Sequence, residues 1–359
     1  MHLGIPALLD FYRAHQDEDS LVLATIVATE GSSYRKPGAM MLISREGDFE
    51  GMISGGCLEG DLLHHAEKVF ESGEPSFVTY DMHADEELVW GLGLGCDGVI
   101  HLLLQKLHKA NGFGFLEQLD ASHGTRDAAL LAIVAESGKA IPCGAFGYLD
   151  RSDISVGEPL LTQYLRELCT HWPNWRARRE TLDAGVDTLS IIEIHMPART
   201  RVLICGAGPD ALPVARVLSE LDWEVEIVDH RSAFARQERF PRSCRVTLTR
   251  PDRLGESIDL TGMDAVVIMS HHLENDSEYL KQVSTHGIPY IGALGPKARR
   301  DRLCEMAACT DLQVYGPVGL DIGAELPSAI ALSVAAEIHA VLNHRDGLPL
   351  TRRVDGQSS

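Results

Sequence analysis

Residues 200–231, TRVLICGAGPDALPVARVLSELDWEVEIVDHR, contain the pattern that most constrains the fold. An apolar strand runs into a glycine turn, a helical segment follows, and a second apolar strand ends at Asp229. Two more strand-and-turn segments, DAVVIMSHH and IPYIGALG, come later with helical segments between them. This alternation predicts an α/β domain with a Rossmann-like, doubly wound parallel sheet that is covered by helices.

The glycine turn has the G-x-G-x-x-A form of a dinucleotide-binding site. Gly206 permits the tight turn, Gly208 lets the backbone approach a pyrophosphate, and Ala211 lets the helix pack closely. Asp229 stands where an acceptor for a ribose hydroxyl belongs, which favours NAD over a 2′-phosphorylated nucleotide. Pro209 removes an amide N–H beside the expected phosphate, so a Rossmann platform without a nucleotide is the alternative.

Two histidines follow the apolar strand in DAVVIMSHH. His271 and His272 are expected at the carboxyl edge of the parallel sheet, where ligands of open α/β sheets bind. His271 is therefore a candidate ligand-binding residue, and in an NAD-dependent oxidoreductase it would exchange a proton with the substrate. The alternative is that one histidine caps a helix and the other is solvated.

The first part of the chain is predicted to be a strand-rich α/β domain. Residues 21–31, 39–54, SFVTYD and GVIHLLLQKL have strand patterns, and residues 58–73 have a helical pattern that Gly73 closes. Residues 112–199 carry no recognised motif and are expected to complete the sheet of this domain. No internal repeat is detectable. The predicted domains are residues 1–199, a Rossmann-like domain at 200–345 and a flexible tail at 346–359.

Composition excludes several classes of partner. The formal net charge of −20 disfavours binding to nucleic acid or to an anionic membrane surface. No apolar run is long enough to span a bilayer, and the first residues have helical spacing rather than the pattern of a signal peptide. The eight cysteines form no CxxC pair, which indicates reduced thiols in a cytoplasmic protein.

Several phrases resemble a known family. They are GSSYRKPGAMMLIS, GMISGGCLEGDLLHHA, GLGLGCDG, VLICGAGPDALPVARV, YIGALGPKARRDRL and PVGLDIGAELPSAIALSVAAEI. In this order they resemble the XdhC/CoxI family of xanthine dehydrogenase accessory proteins. The resemblance covers both ends of the chain, and it has one visible departure. The family commonly has G-A-G-H after the first Rossmann strand, where this chain has Pro209.

The resemblance implies a chaperone rather than a catalyst. Its ligand would be the molybdenum cofactor, either molybdopterin or the cytosine dinucleotide form, which the protein would help to sulfurate. The implied partners are the apoenzyme of a molybdenum hydroxylase, which receives the cofactor, and a cysteine desulfurase. The oligomeric state is open, with a homodimer as one alternative. An NAD-dependent oxidoreductase that uses the Rossmann site is the alternative function.

The glycine–cysteine phrases fit the ligand that the resemblance implies. Gly55 and Gly56 permit close approach of the backbone, and Cys57 precedes a helix start, where a thiolate is favoured and can bind a soft metal. Cys96 lies in the second such phrase, and Arg35 is the nearest basic residue for phosphate or pterin oxygens. The alternative for both cysteines is packing, because cysteine is often a buried apolar residue.

Two more groups complete the predicted site. Amide N–H groups at the helix start near Leu58 are expected to bind the phosphate of the cofactor. Asp321, in the phrase PVGLDIGAE, is expected to accept hydrogen bonds from a pterin or a ribose, although turn geometry explains this residue equally well.

Overall fold

A computed structural model of the chain describes residues 4–82, 98–125, 127–136, 141–171, 175–185 and 188–352. The chain divides into two compact units, Met1–Ala198 and Arg199–Ser359, called here the N-terminal and C-terminal domains. Among the described residues, no helix has the length and apolar character needed to cross a membrane. Each domain has its own sheets and its own apolar core.

The first half of the N-terminal domain forms an antiparallel five-stranded sheet in the order β3-β2-β1-β5-β4. Helix α2 ends at Gly73, whose left-handed conformation (φ 76°) directs its N–H to the carbonyl of Val69, as the sequence predicts. The elements of this half are α1 Ile5–Ala14, β1 Ser20–Gly31, β2 Met40–Ile43, β3 Phe49–Gly51, α2 Glu59–Ser72, β4 Ser76–Asp81 and β5 Gly98–His108.

The second half forms a separate antiparallel sheet in the order β8-β7-β6-β10-β9. The expectation that residues 112–199 complete the first sheet is therefore wrong. Strand β6 is buried on both faces along almost its whole length, so it forms the centre of a sheet rather than an edge. The elements are α3 Leu116–Thr125, β6 Ala129–Glu136, β7 Phe146–Asp150, β8 Ser155–Gly157, α4 Pro159–Leu168, β9 Ala177–Asp183 and β10 Thr188–Met196.

The two sheets pack face to face and have one helix on each outer side. Leu23 and Leu103 of the first sheet share a core with Ile133 and Ile192 of the second. Helix α2 covers the other face of the first sheet, and α4 covers the other face of the second. Each large apolar side chain buried in these layers contributes about 1.5–3 kcal/mol of transfer free energy.

The C-terminal domain has the predicted parallel sheet, in the order β13-β12-β11-β14-β15. Apolar clusters cover both faces of the sheet, which is why its central strands β11 and β14 are buried throughout and almost entirely apolar. The elements are β11 Arg201–Cys205, α5 Ala211–Glu220, β12 Glu224–Asp229, β13 Arg245–Leu248, α6 Leu254–Ser257, β14 Ala265–Ile268, α7 Leu273–Val283, β15 Tyr290–Ala293, α8 Lys297–Met306 and α9 Pro327–Leu342.

Candidate functional site

The loop that joins β3 to α2, residues 52–58, is called here the thiol loop, and it folds around a buried carboxylate. Glu59 is 4% exposed, and it accepts N–H hydrogen bonds from Ile53 (3.0 Å), Ser54 (2.9 Å) and Gly56 (3.0 Å). The Ser54 hydroxyl also donates to it at 2.6 Å. Burial would raise the pKa of Glu59, but the hydrogen bonds from Ser54 and the loop amides outweigh burial, so its pKa is lowered.

Ser54 completes the internal bonding of the thiol loop. Its hydroxyl oxygen accepts the amide N–H groups of Cys57 (3.0 Å) and Leu58 (2.8 Å). A serine side chain therefore already binds the Leu58 amide, and phosphate binding by the other amides of this helix start stays a prediction. Sequence reasoning missed Ser54 and Glu59. Ser54 lies five residues before Glu59, so the sequence lacks the three-residue spacing of a capping box that would have indicated their hydrogen bond.

Cys57 is displayed at the surface by this anchored loop. Among the cysteines that the structure describes, it is the exposed one. Gly55 and Gly56 have positive φ angles of 90° and 113°, which suit glycine and turn the chain toward Cys57. The predicted packing alternative for Cys57 is thus not what the structure shows, and its thiol is open to a ligand.

A second segment lies against the thiol loop. The Tyr34 ring is 3.6 Å from where a Cβ on Gly55 would stand, and Tyr34 is 56% exposed. Arg35 follows it in the chain, is half-buried and has no ion pair within the described part of the protein. The structure therefore brings Tyr34, the residue before Arg35, next to Gly55, and the binding role of Arg35 stays a prediction. Cys96 lies outside the described residues.

The turn at residues 206–211, called here the Rossmann turn, has the backbone geometry that its glycines predict. Gly206 has φ 122°, and a Cβ there would come within 2.7 Å of backbone atoms of Met269 and Ser270. Ala211 is fully buried at the start of α5. Within the described residues, the amide N–H groups of Gly208 and Asp210 have no protein acceptor. These two donors flank Pro209, which has none.

Asp229 is placed at the end of β12, as predicted, but its carboxylate is already engaged. It is 1% exposed and accepts the Ala207 amide at 2.8 Å. Arg231 binds both of its oxygens, with Nε at 2.9 Å and Nη2 at 2.7 Å. Burial would raise the pKa of Asp229, but Arg231 and the amide bonds lower it. A ribose-binding role for Asp229 stays a prediction.

Arg231 and Arg239 are residues that sequence reasoning missed. Both guanidinium groups lie over the ring of Phe234, at 4.1 and 5.0 Å from its centroid. Arg239 also donates to the carbonyl of Ala207 at 2.7 Å. The sequence signal for Arg231 was its position two residues after Asp229, the acid at the end of β12. Two guanidinium groups of the segment after β12 thus lie beside the Rossmann turn, and Asp229 neutralises that of Arg231.

His271 lies beside the Rossmann turn, as its position in the sequence predicts. It has a left-handed φ of 64°, its side chain is 60% exposed, and its Nε2 is 2.6 Å from Oδ2 of Asp210. His272 takes the N-cap position of α7 without a side-chain capping bond. The His271–Asp210 pair is an acid–base pair, but no second charged group is bonded to it in the described part of the structure.

Asp321 is exposed in the segment before α9. Within the described ranges it makes no hydrogen bond or ion pair. The neighbouring turn is fixed instead by Glu337, which accepts the Gly319 amide (2.8 Å) and the Tyr290 hydroxyl (2.6 Å). The described residues contain no group of three or more His, Cys, Asp or Glu side chains placed to hold a metal ion.

Comparison with known proteins agrees with this two-domain α/β architecture. The XdhC Rossmann domain family matches residues 202–338, and the XdhC and CoxI family matches residues 14–81. A Bacillus subtilis protein, named as a probable xanthine dehydrogenase subunit, is 30% identical over 94% of this chain and 96% of its own length. The chain belongs to the XdhC and CoxI family.

Two more relatives extend the comparison. The molybdenum cofactor insertion chaperone PaoD of Escherichia coli is 24% identical, over 90% of this chain and 84% of its own length. A crystal structure described as a xanthine dehydrogenase from Bacillus halodurans superposes with a TM-score of 0.78 and 28% identity. It covers 96% of this chain, and this chain covers 97% of it. The likeness therefore extends over both domains.

Proposed function

We propose that this protein is a chaperone that binds the molybdenum cofactor and delivers it to the apoenzyme of a xanthine dehydrogenase-type hydroxylase. The names of the Bacillus subtilis and Escherichia coli relatives support this function. The structural observation that carries it is the exposed Cys57, held by an internally bonded loop next to Tyr34. A soft thiolate is a suitable ligand for molybdenum, which prefers sulfur donors.

The remaining residues of the site have narrower proposed roles. Gly55 and Gly56 let a flat pterin approach the backbone, and Arg35 binds its phosphate or ring oxygens. The free amides of Gly208 and Asp210 bind a phosphate group at the Rossmann turn. We propose that the chain would hold the cofactor for a cysteine desulfurase, the proposed partner for its sulfuration. The compound extracted from the purified protein will show which form is bound, molybdopterin or its cytosine dinucleotide.

The test is to purify the protein from a host that makes the cofactor and to measure bound pterin. The pterin is oxidised to its fluorescent form and identified by mass spectrometry. We expect Cys57→Ala to lower the retained pterin at least tenfold. Cys169→Ala, which removes a half-buried thiol from the other half of the same domain, is the matched control and keeps it. Wild-type protein without any pterin would refute the proposal.

The NAD-dependent oxidoreductase remains the competing hypothesis. It needs Asp229 to bind a ribose, and in this structure Arg231 holds both oxygens of that carboxylate. Titration with NADH, followed by its fluorescence, separates the two functions. Tight binding with turnover would favour the oxidoreductase, whereas retained pterin without NADH binding favours the chaperone.

A further inference from the structure

The two halves of the N-terminal domain have the same succession of elements. Each runs helix, three strands, helix, two strands, from α1 to β5 in the first half and from α3 to β10 in the second. The sheet orders, β3-β2-β1-β5-β4 and β8-β7-β6-β10-β9, are also the same when the strands are numbered within each half. The halves therefore correspond element by element, although no repeat is visible in the sequence.

The correspondence extends to single hydrogen bonds in the turn before the second strand. In the first half, the Gly38 amide donates to the carbonyl of Ile26 at 2.8 Å. In the second half, the Gly144 amide donates to the carbonyl of Val134 at 2.9 Å. Both glycines have positive φ, 86° and 81°, and each is followed by an alanine that leads into the next strand.

The two halves also share the backbone conformation at the end of their third strand. Gly51 and Gly157 close β3 and β8 with φ angles of 109° and 110°. A Cβ on Gly51 would collide with the carbonyl oxygen of Met40, and one on Gly157 with that of Phe146. Met40 and Phe146 begin the corresponding strands β2 and β7. Each half thus requires glycine at this position for the same steric reason.

The two halves also contact each other reciprocally. A Cβ on Gly38 would stand 2.8 Å from Ala177, at the start of β9. A Cβ on Gly144 would stand 3.3 Å from Pro75, directly before the corresponding strand β4. Reciprocal contacts between corresponding residues are the property of an interface with two-fold symmetry. The N-terminal domain is therefore built like a dimer of one unit within a single chain.

The halves differ between the third strand and the second helix. The first helical hydrogen bond of α2 runs from Leu62 to Leu58, and that of α4 runs from Thr162 to Glu158. In the second half, Gly157 is followed directly by Glu158. In the first half, the segment MISGGC, residues 52–57, stands between Gly51 and Leu58. These residues of the thiol loop have no counterpart in the second half.

We infer that the N-terminal domain is a duplicated unit in which residues 52–57 are an addition that carries cofactor binding, while the second half is a scaffold. This inference rests on the proposed function. The added segment presents Cys57 and Met52, which is 42% exposed, and Glu59 positions it through the loop amides. The second half has Pro159 where Glu59 stands, and proline needs no partner at the first helical position.

The test removes residues 52–57 and adds Glu59→Pro, so that the first half acquires the connection of the second. The full-length variant is expected to keep the wild-type circular dichroism spectrum and to melt at a lower temperature than wild type, because the deletion removes the fully buried side chain of Ile53. It is expected to lose at least tenfold in retained pterin, measured as the fluorescent oxidation product. A second variant, Met52→Ser with Cys57→Ser, keeps the backbone of the loop and is expected to lose pterin as well. Cys169→Ser in the second half is the control and keeps it.

Each outcome decides one part of the inference. A deletion variant that fails to fold shows that residues 52–57 are not an addition to a complete unit, and the double serine variant then still tests binding. Variants that fold and retain pterin like wild type overturn the assignment of binding to this segment. Wild-type protein without pterin refutes the proposed function instead, while the folding of the deletion variant continues to test the duplication.

Discussion

The thiol loop and the Rossmann turn are both glycine-rich turns that lead into a helix, and both donate hydrogen bonds to a buried carboxylate. Glu59 and Asp229 are 4% and 1% exposed; Glu59 accepts three amide N–H groups of the thiol loop, and Asp229 accepts one from the Rossmann turn. The turns differ in how that charge is balanced. Asp229 is paired with Arg231, whereas Glu59 is bonded to amides and to the Ser54 hydroxyl.

The comparison shows that a glycine turn before a helix is not by itself an empty anion site. The positive end of the helix dipole and the free amides attract a negative charge, and here the chain supplies that charge itself. The groups that are left to bind a ligand therefore differ between the two turns. The thiol loop offers the exposed Cys57, and the Rossmann turn offers the amides of Gly208 and Asp210.

The largest expected effect is that of Gly206→Ala. A Cβ at this position would lie 2.7 Å from backbone atoms of Met269 and Ser270, and the φ of 122° is unfavourable for alanine. Because those neighbours are backbone atoms of a packed strand end, we expect a loss of about 3–4 kcal/mol in the free energy of unfolding. Differential scanning calorimetry of the full chain measures this loss.

Gly208→Ala is the matched control for that change. Its φ is not in the left-handed region, and its added Cβ would approach only the Asp210 carboxylate, at 2.7 Å. A side chain can rotate away, so we expect a loss below about 1 kcal/mol. Losses below about 1 kcal/mol for both variants would show that the Rossmann turn tolerates side chains as freely as a surface loop.

The second prediction removes the cation that distinguishes the two turns. Arg231→Ala leaves the buried Asp229 with two amide donors and with His230 Nδ1 at 3.5 Å, so that no arginine balances its charge. We expect a loss of about 2 kcal/mol, less than for a fully buried pair because the Arg231 side chain is 37% exposed. Arg250→Ala, at a 73% exposed arginine of the same domain, is the control and is expected to cost little. A negligible cost for Arg231→Ala would mean that amides alone satisfy both carboxylates.

The fold of the C-terminal domain could be predicted because its pattern is local. The strands of a buried parallel sheet are continuous apolar runs, and the glycine turn, helix and terminal acid follow each other within residues 200–231. The second sheet of the N-terminal domain could not be predicted in this way. Its pairing depends on contacts between distant strands, such as β6 with β10, which leave no short-range signal in one sequence.

The candidate site could be predicted in part for a similar reason. The positions of Gly55, Gly56 and Cys57 follow from the glycine spacing, and the start of α2 follows from its apolar face. In the sequence, Glu59 has the pattern of an ordinary first-turn acid, because nothing there shows that the loop closes over its carboxylate. The pairing of Asp229 with Arg231 likewise depends on a side-chain conformation.

The third prediction concerns Glu59→Ala. This change leaves three loop amides and the Ser54 hydroxyl without their acceptor, but the loop is at the surface, so water replaces part of the bonding. We expect a loss of about 1–2 kcal/mol, together with faster deuterium exchange of the amides in residues 53–58. Glu67→Ala, at a 73% exposed position of the same helix, is expected to leave both unchanged. Unchanged exchange in Glu59→Ala would show that Glu59 does not hold the loop.

The smallest effect is the acid dependence of the two carboxylates. Both have a pKa below the ordinary value, which is 4.5 for Glu59 and 3.8 for Asp229, so each stabilises the fold above that value and loses its contribution as the pH falls. The stability difference between wild type and Glu59→Gln should therefore begin to shrink at a higher pH than the difference for Asp229→Asn. Calorimetry in buffers from about pH 7 to about pH 3 measures both. Stability differences that stay constant over this pH range would show that neither carboxylate titrates with unfolding. If both differences began to shrink at the same pH, the contrast between Asp229, which has an ion pair, and Glu59, which has none among the described residues, would disappear.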